Sequence, residues 1–326
     1  MSSKVEHPIV AASRPLPTGF DVPCANVRFG PERGFPTRAA MFDFFHGAHA
    51  LVTWVSERVD EELLEAVGPQ LKIVSNFAVG FDNIDVAACK RRGVFVSNTP
   101  DAVTEGTADL AMLLLLAAAR KLSAADRFAR SGAWEGVGIL GPNDWIGLPL
   151  AGRTLLIVGG GRIGYATAMR SVGWNMKVLY TARSAKPKME APPLNGRRVE
   201  LEEGLREADF VSLHVPLTPE TRGLINAPRL ALMKKDAVLV NTCRGAVVDE
   251  AALADALAAG RLFAAGLDVF EKEPVINAKL KGLDNVVLAP HYGSASRDSR
   301  SAMSALCAAN IRSVLGGGLP VTPVWT

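Results

Sequence analysis

Thr154-Leu155-Leu156-Ile157-Val158-Gly159-Gly160-Gly161-Arg162-Ile163-Gly164 is the stretch that decides the fold. Five strand-forming residues run directly into a glycine-rich turn, and the following Tyr165-Ala166-Thr167-Ala168-Met169-Arg170 reads as a helix. A G-x-G-x-x-G pattern alone is weak; between a strand and a helix it signals a dinucleotide-binding turn. Gly159 allows the tight turn, Gly161 lets the backbone approach a pyrophosphate, and Gly164 lets the helix pack against the strand. Arg162 and Ile163 open that helix, whose unpaired N–H groups face the anion.

Working outward, β-rich runs alternate with helical segments, the pattern of α/β architecture with parallel strands. Downstream strands are expected at Lys177–Thr181, Phe210–His214, Ala237–Asn241, Ala264–Val269 and Val286–Ala289. Upstream, a second series is expected at Ile9–Ala11, Ala50–Trp54, Lys72–Phe77 and Val94–Ser97, with a helix over Asp60–Val67. Their Val, Leu and Ile content with little alternation suits strands covered on both faces. A long helix, Thr107–Arg130, is expected to connect the two series, with Thr104 or Thr107 as its cap. Gly132–Gly152, holding Trp134 and Trp145, is expected to be an irregular excursion whose aromatics suit either a surface loop or a subunit interface.

The position that chooses between the two nicotinamide dinucleotides lies at the end of the second strand of the dinucleotide fold. An acidic residue there would accept hydrogen bonds from a ribose 2′-OH. No Asp or Glu lies between Asn175 and Lys188; Ala182 takes the place, followed by Arg183, Ser184 and Lys186. A carboxylate would repel a 2′-phosphate, whereas an arginine with a hydroxyl would bind one. NADP(H) is therefore the preferred cofactor, with NAD(H) a possible one. The bland alternative is that Arg183 and Lys186 are solvated loop charges.

Composition bounds the rest. With 326 residues, 48% of them hydrophobic, the chain can fill two domain cores. The net charge of +3 comes without a lysine and arginine run, so neither nucleic acid nor a membrane surface is an expected partner. Met1–Phe20 lacks the apolar core of a leader peptide. The longest apolar run, Leu110–Ala119, has 10 residues, about half of the roughly 20 that span a bilayer. The four cysteines are widely spaced and form no ligand pattern, so no metal is expected and a cytoplasmic location is.

Three polar residues follow the turn in order, each at the end of a predicted strand: Arg244, Glu273 and His291. Singly, each has an ordinary reading as a loop charge, a turn cap or a surface histidine. Together, at successive strand ends of a dinucleotide fold, they lie where open α/β sheets bind ligands. Reduction of a ketone needs a proton donor at the developing alkoxide and a cation for a neighbouring carboxylate. An imidazole, titrating near pH ~6.5 when unperturbed, suits the first task, and a nearby carboxylate would keep it loaded. A forked guanidinium suits the second.

Four motifs then carry a resemblance over nearly the whole chain: Leu155–Gly164, Asn241-Thr242-Cys243-Arg244-Gly245, Gly266–Pro274 and Ala289–Ser294. With Val79–Asp85 and Asn98-Thr99-Pro100, the chain resembles the D-isomer-specific 2-hydroxyacid dehydrogenases, most of all the glyoxylate/hydroxypyruvate reductases. The resemblance implies two α/β domains, Rossmann-like and flavodoxin-like, with the active site in a cleft between them. Residues 1–107 with 293–326 would form the substrate-binding domain and 108–292 the dinucleotide-binding one. It also implies a homodimer, with Trp134–Trp145 in the interface. It places Glu273, rather than Glu271, beside His291, and has Val79 and Gly80 offer backbone N–H groups to the substrate carboxylate. Asp268 would lie near the nicotinamide carboxamide and Thr107 beside its ring; Val215, Pro216, Thr242 and Cys243 would line the cofactor cleft, with Gly293 on the loop of the acid. Trp54 would border the substrate pocket, unless it is a core aromatic. Gly160, where the family usually has a larger apolar residue, is expected to loosen the turn.

The activity so implied is NADPH-dependent reduction of glyoxylate to glycolate and of hydroxypyruvate to D-glycerate. Alternatives are a reductase of the same family acting on 2-ketogluconate or on a branched or aryl pyruvate, and, from a different class, a nucleotide-sensing protein like the related corepressors.

Overall fold

The computed structural model describes residues 7–325, so the opening segment Met1–Phe20 is described only from His7. The chain divides into two compact units, one made of residues up to Val103 together with Ser294 onward, the other of Thr104–Gly293.

The first unit is built on a five-stranded sheet, β1 (Ile9–Ala12), β2 (Asn26–Phe29), β3 (Ala50–Thr53), β4 (Ile73–Asn76) and β5 (Phe95–Ser97). Its order is β2-β1-β3-β4-β5 and every pairing is parallel. Leu51, Ile73 and Val74 are fully buried, as expected where helices cover both faces. The helix Glu61–Val67 starts where Asp60 accepts the Leu63 N–H, and the final helix Arg297–Leu315 is capped by Ser296 in the same way. β2 was not expected from sequence: Asn26-Val27-Arg28-Phe29 is half exposed at the sheet edge, so its apolar pattern is faint.

The second unit carries a seven-stranded sheet: β6 (Thr154–Val158), β7 (Lys177–Thr181), β8 (Arg197–Arg198), β9 (Phe210–Leu213), β10 (Val238–Asn241), β11 (Ala264–Leu267) and β12 (Val286–Leu288). The order β12-β11-β10-β9-β6-β7-β8 is again wholly parallel. Consecutive strands run outward from β6 to β8, and the chain then returns to lay β9 on the other side of β6. That reversal opens a crevice at the carboxyl ends of β6 and β9, the place where doubly wound sheets bind ligands.

The connecting helix departs from expectation. It begins at Thr104, stops at Ala119 and resumes as Leu122–Arg130, because Lys121 takes a left-handed backbone conformation (φ 55°). Gly132–Gly152 also contains a short helix, Ala133–Val137. The apolar Thr104–Ala119 segment is buried along most of its length. Among the described residues no helix is long and apolar enough to cross a membrane.

Candidate active site

Gly159, at the mouth of the crevice, has φ 107°, and a Cβ there would lie 2.6 Å from the carbonyl oxygen of His214. Only glycine combines that conformation with that approach. A Cβ on Gly164 would come within 2.1 Å of the Gly159 oxygen, so the helix Arg162–Ser171 can sit this close to the turn only without one. Gly161 caps the helix with no side-chain hydrogen bond, and nothing lies within 4 Å of where its Cβ would be. Helix-start N–H groups and open space beside them suit a phosphate. Thr242 Oγ1, buried without a partner among the described residues, is a further polar atom suited to a ligand. These features fit a dinucleotide.

The N–H groups of Gly159 and Gly160 both donate to the Thr181 oxygen at 3.2 Å, tying the turn to the end of β7. Beyond that end, Ala182 is partly exposed and Arg183 and Ser184 are exposed. Arg198, in the short edge strand β8, donates to the carbonyl oxygens of Ala182 (3.1 Å) and Arg183 (3.3 Å). Sequence reading missed this clamp, since a two-residue strand leaves no periodic signal.

The three polar residues lie in loops past their strands. His291 follows the end of β12 by three residues, and its Nδ1 is 2.7 Å from Glu273 Oε2. Glu273 Oε1 accepts the Phe270 N–H at 2.9 Å, which orients the carboxylate. Burial would raise the Glu273 carboxyl, but the His291 hydrogen bond and charge, the Phe270 N–H and the Arg244 charge together hold it below the usual range. Glu271 instead donates its backbone N–H to Glu250 and faces solvent.

His291 has φ 51°, an uncommon conformation for a residue with a side chain. Asp268 holds it there. Its backbone oxygen accepts the His291 N–H at 2.8 Å, and its two carboxylate oxygens accept the N–H groups of Tyr292 and Gly293, each at 2.9 Å. Asp268 is buried (1% exposed), and burial, helped by the Glu273 charge, raises its carboxyl against the pull of those N–H groups and His291. A Cβ on Gly293 would meet Asp268 Oδ2 at 3.0 Å and Thr107 at 3.5 Å, so Thr107, Asp268 and Gly293 share one spot.

Arg244 follows β10 by three residues. Its Nη1 donates to the Cys243 oxygen at 2.8 Å. Asn241, buried at the strand end, donates to the Arg244 oxygen and accepts from Cys243 N, closing the loop from below. A buried asparagine ending an apolar strand was the available signal for this role. Burial pushes the Cys243 thiol up to about 11 and the His214 imidazole down to about 3, so one is a thiol and the other neutral near pH 7. His214 pairs with Ser212 and, with Val215 and Pro216, follows β9 beside the turn.

Val79, Gly80 and Trp54 belong to the first unit. The carbonyl oxygens of Val79 and Gly80 are held by the side-chain amides of Asn98 and Asn76, each at 2.8 Å. Trp54, immediately after β3, packs on Phe77 with ring centroids 5.4 Å apart and carries the Arg300 guanidinium 4.6 Å above its ring. Trp54, Phe77 and Arg300 line a cavity of about 450 Å³ with Ser13, Arg14 and Leu16, at the carboxyl ends of β1 and β3. There the order of this sheet reverses.

Comparison with known proteins matches residues 112–293 to the model of the D-isomer specific 2-hydroxyacid dehydrogenase, NAD binding domain. A glyoxylate reductase of Thermococcus kodakarensis is 49% identical over 91% of this chain and 89% of its own length. A crystal structure of a Thermus thermophilus protein superposes with a TM-score of 0.89 at 40% identity, covering 97% of this chain and all of that one. The NADPH-dependent glyoxylate/hydroxypyruvate reductase of Sinorhizobium meliloti, solved with NADP and malonate, gives a TM-score of 0.80 at 32% identity over 98% and 97% of the two chains.

Proposed function

This chain belongs to the D-isomer-specific 2-hydroxyacid dehydrogenase family, an oxidoreductase family with a Rossmann NAD-binding domain, and from that premise we propose that it reduces glyoxylate to glycolate and hydroxypyruvate to D-glycerate with NADPH. The observation that carries the reading is the 2.7 Å pair of His291 Nδ1 and Glu273 Oε2 on a loop locked by Asp268. The Gly159–Gly164 turn and the helix behind it would hold the cofactor, which would supply the hydride for the keto carbon. Arg244 anchors the substrate carboxylate with its fork. With Nδ1 engaged by Glu273, Nε2 of His291 delivers the proton to the carbonyl oxygen. Glu273, held ionised, stabilises the imidazolium that does so. The strand-end sequence Ala182-Arg183-Ser184, with no carboxylate, supports NADPH over NADH.

The panel that tests this is simple: glyoxylate, hydroxypyruvate and larger 2-keto acids, each with NADPH and NADH, followed by loss of absorbance. Highest kcat/KM for the two small acids with NADPH is expected. A clear NADH preference would overturn the cofactor assignment. Failure with every 2-keto acid would overturn the enzymatic one in favour of a dinucleotide-sensing protein.

A branched or aryl 2-keto acid outperforming glyoxylate in that panel would favour a reductase of the same family for larger substrates. The reading also keeps a homodimer, supported by exposed Trp134, Val137, Ile139 and Ile146 along the Gly132–Gly152 excursion. A cytoplasmic enzyme is in keeping with four unbridged cysteines.

A further inference from the structure

We propose that Gly160 is a specificity-determining residue for the adenosine 2′-phosphate, acting by leaving room for the stem of Lys186 to lie across the dinucleotide turn. The proposal rests on the NADPH reading above and assigns the charge and the opening that serve it.

The contacts around Gly160 are unlike those of its neighbours. A Cβ on Gly161 would meet open space, but one on Gly160 would lie 3.2 Å from the Tyr180 ring, 3.3 Å from Lys186 Cγ and 3.7 Å from Ala182 Cβ. The residue is therefore roofed by the Tyr180 ring of β7 and by the chain that follows that strand. Lys186 is fixed over it from its own backbone: its N–H donates to the Tyr180 hydroxyl at 2.8 Å, and that hydroxyl donates to Glu190 at 2.5 Å. With the backbone pinned and the stem against Gly160, the ammonium reaches to 3.4 Å from Ser184 Oγ. A hydroxyl and a cation thus converge beside Ala182, where a carboxylate would otherwise read the ribose.

The alternative for Lys186 is to turn outward as a solvated charge. Nothing in its polar contacts prevents this, since a 3.4 Å approach to a serine hydroxyl is weak. What favours the inward path is the methylene stem lying on the turn, with the charge carried to its tip. A long side chain at position 160 would occupy that path and send the ammonium to solvent. Alanine would press its Cβ on the buried Tyr180 ring as well as on the flexible Lys186 stem, each needing to give by a few tenths of an ångström, so its effect is smaller than that of a long side chain.

The experiment measures binding of two fragments, 2′,5′-ADP and 5′-AMP, to the intact protein, with NADPH and NADH kinetics alongside. The wild type is expected to favour 2′,5′-ADP. Lys186→Met, which keeps the stem and removes the charge, should lower that preference about tenfold, the scale of one charge-assisted hydrogen bond. Gly160→Leu should lower it by a similar factor, Gly160→Ala by less, and adding Lys186→Met to Gly160→Leu should lower it little further. Thermal melts establish that each variant is folded, and Gly160→Ala keeps the test available if leucine does not fold. Equal loss of both fragments in the Gly160 variants would assign the residue to the turn alone and overturn the proposal. So would a Lys186→Met protein that keeps the wild-type preference; the NADPH reading would then stand without this device. A wild type that binds 5′-AMP as tightly as 2′,5′-ADP would overturn the NADPH reading and the proposal with it.

Discussion

The second unit makes its site in two opposite ways. Along Gly159–Gly164 the site is made by omission: side chains are absent so that backbone, helix and ligand can meet. Around His291 it is made by fixation, with Glu273 and Asp268 accepting donors from the imidazole and from the loop that carries it. The first half has little to lose by truncation and much to lose by addition. The second is the reverse. On the function proposed above, the division also separates roles, omission serving binding and fixation serving proton transfer.

The sharpest break is at the imidazole. His291→Gln should lower kcat by about 10²–10⁴-fold while dinucleotide affinity stays within a few-fold; near-normal turnover would remove His291 from proton transfer. On the other side, Gly164→Val sets a branched side chain against the Gly159 oxygen, where a Cβ alone would come within 2.1 Å. Overpacking of this kind costs ~1–3 kcal/mol, and dinucleotide affinity should fall by tenfold or more. An unchanged dissociation constant would show that the turn tolerates addition after all.

Asp268→Asn tests whether fixation acts through the loop. The amide keeps one acceptor oxygen but turns its NH₂ toward a backbone donor, so one N–H loses its partner. A loss of roughly 1.4 kcal/mol, or tenfold, should appear in kcat more than in KM. A pure KM effect would instead give Asp268 a role in binding.

The smallest effect belongs at the amino end of the same sheet, away from both halves. Asp209 accepts the Thr154 N–H at 2.9 Å and pairs with Lys234 and Arg153. Burial would raise its carboxyl, but that N–H and those two cations hold it below its ordinary value. A depressed acid stabilises the fold above its unfolded pKa and loses that contribution as pH falls through the folded one. Asp209→Asn should therefore cost about 1 kcal/mol at neutral pH, a difference that vanishes in strong acid, with kcat unchanged. A deficit that persists in acid would point to packing instead of charge.

The two halves were also unequally legible in the sequence. Omission leaves a motif, because glycines at fixed spacing after an apolar strand announce the turn. The strand cores were equally plain, and most predicted strands agree with the structure to within one or two residues. Fixation is written in contacts between residues far apart in the chain. Asp268 and Gly293 are 25 residues apart, and nothing local announces their hydrogen bond. Glu271 and Glu273 are indistinguishable by composition; only the turn that returns Glu273 to the Phe270 N–H separates them. The half-exposed β2, the two-residue β8 and the left-handed Lys121 lacked a pattern for the same reason, being too short for periodicity to build up.

The edge of the seven-stranded sheet has a consequence of another kind. A parallel sheet that ends in a long apolar strand invites a further strand from a neighbouring molecule. At the β8 edge the strand is Arg197–Arg198 alone, with Arg197 engaged by Glu203 and Glu207 on the exposed surface. Two bulky cations and two acids leave an incoming chain almost no ladder to copy. Strand addition at this edge is thus opposed by a pair of arginines, one of which also clamps the loop beyond β7.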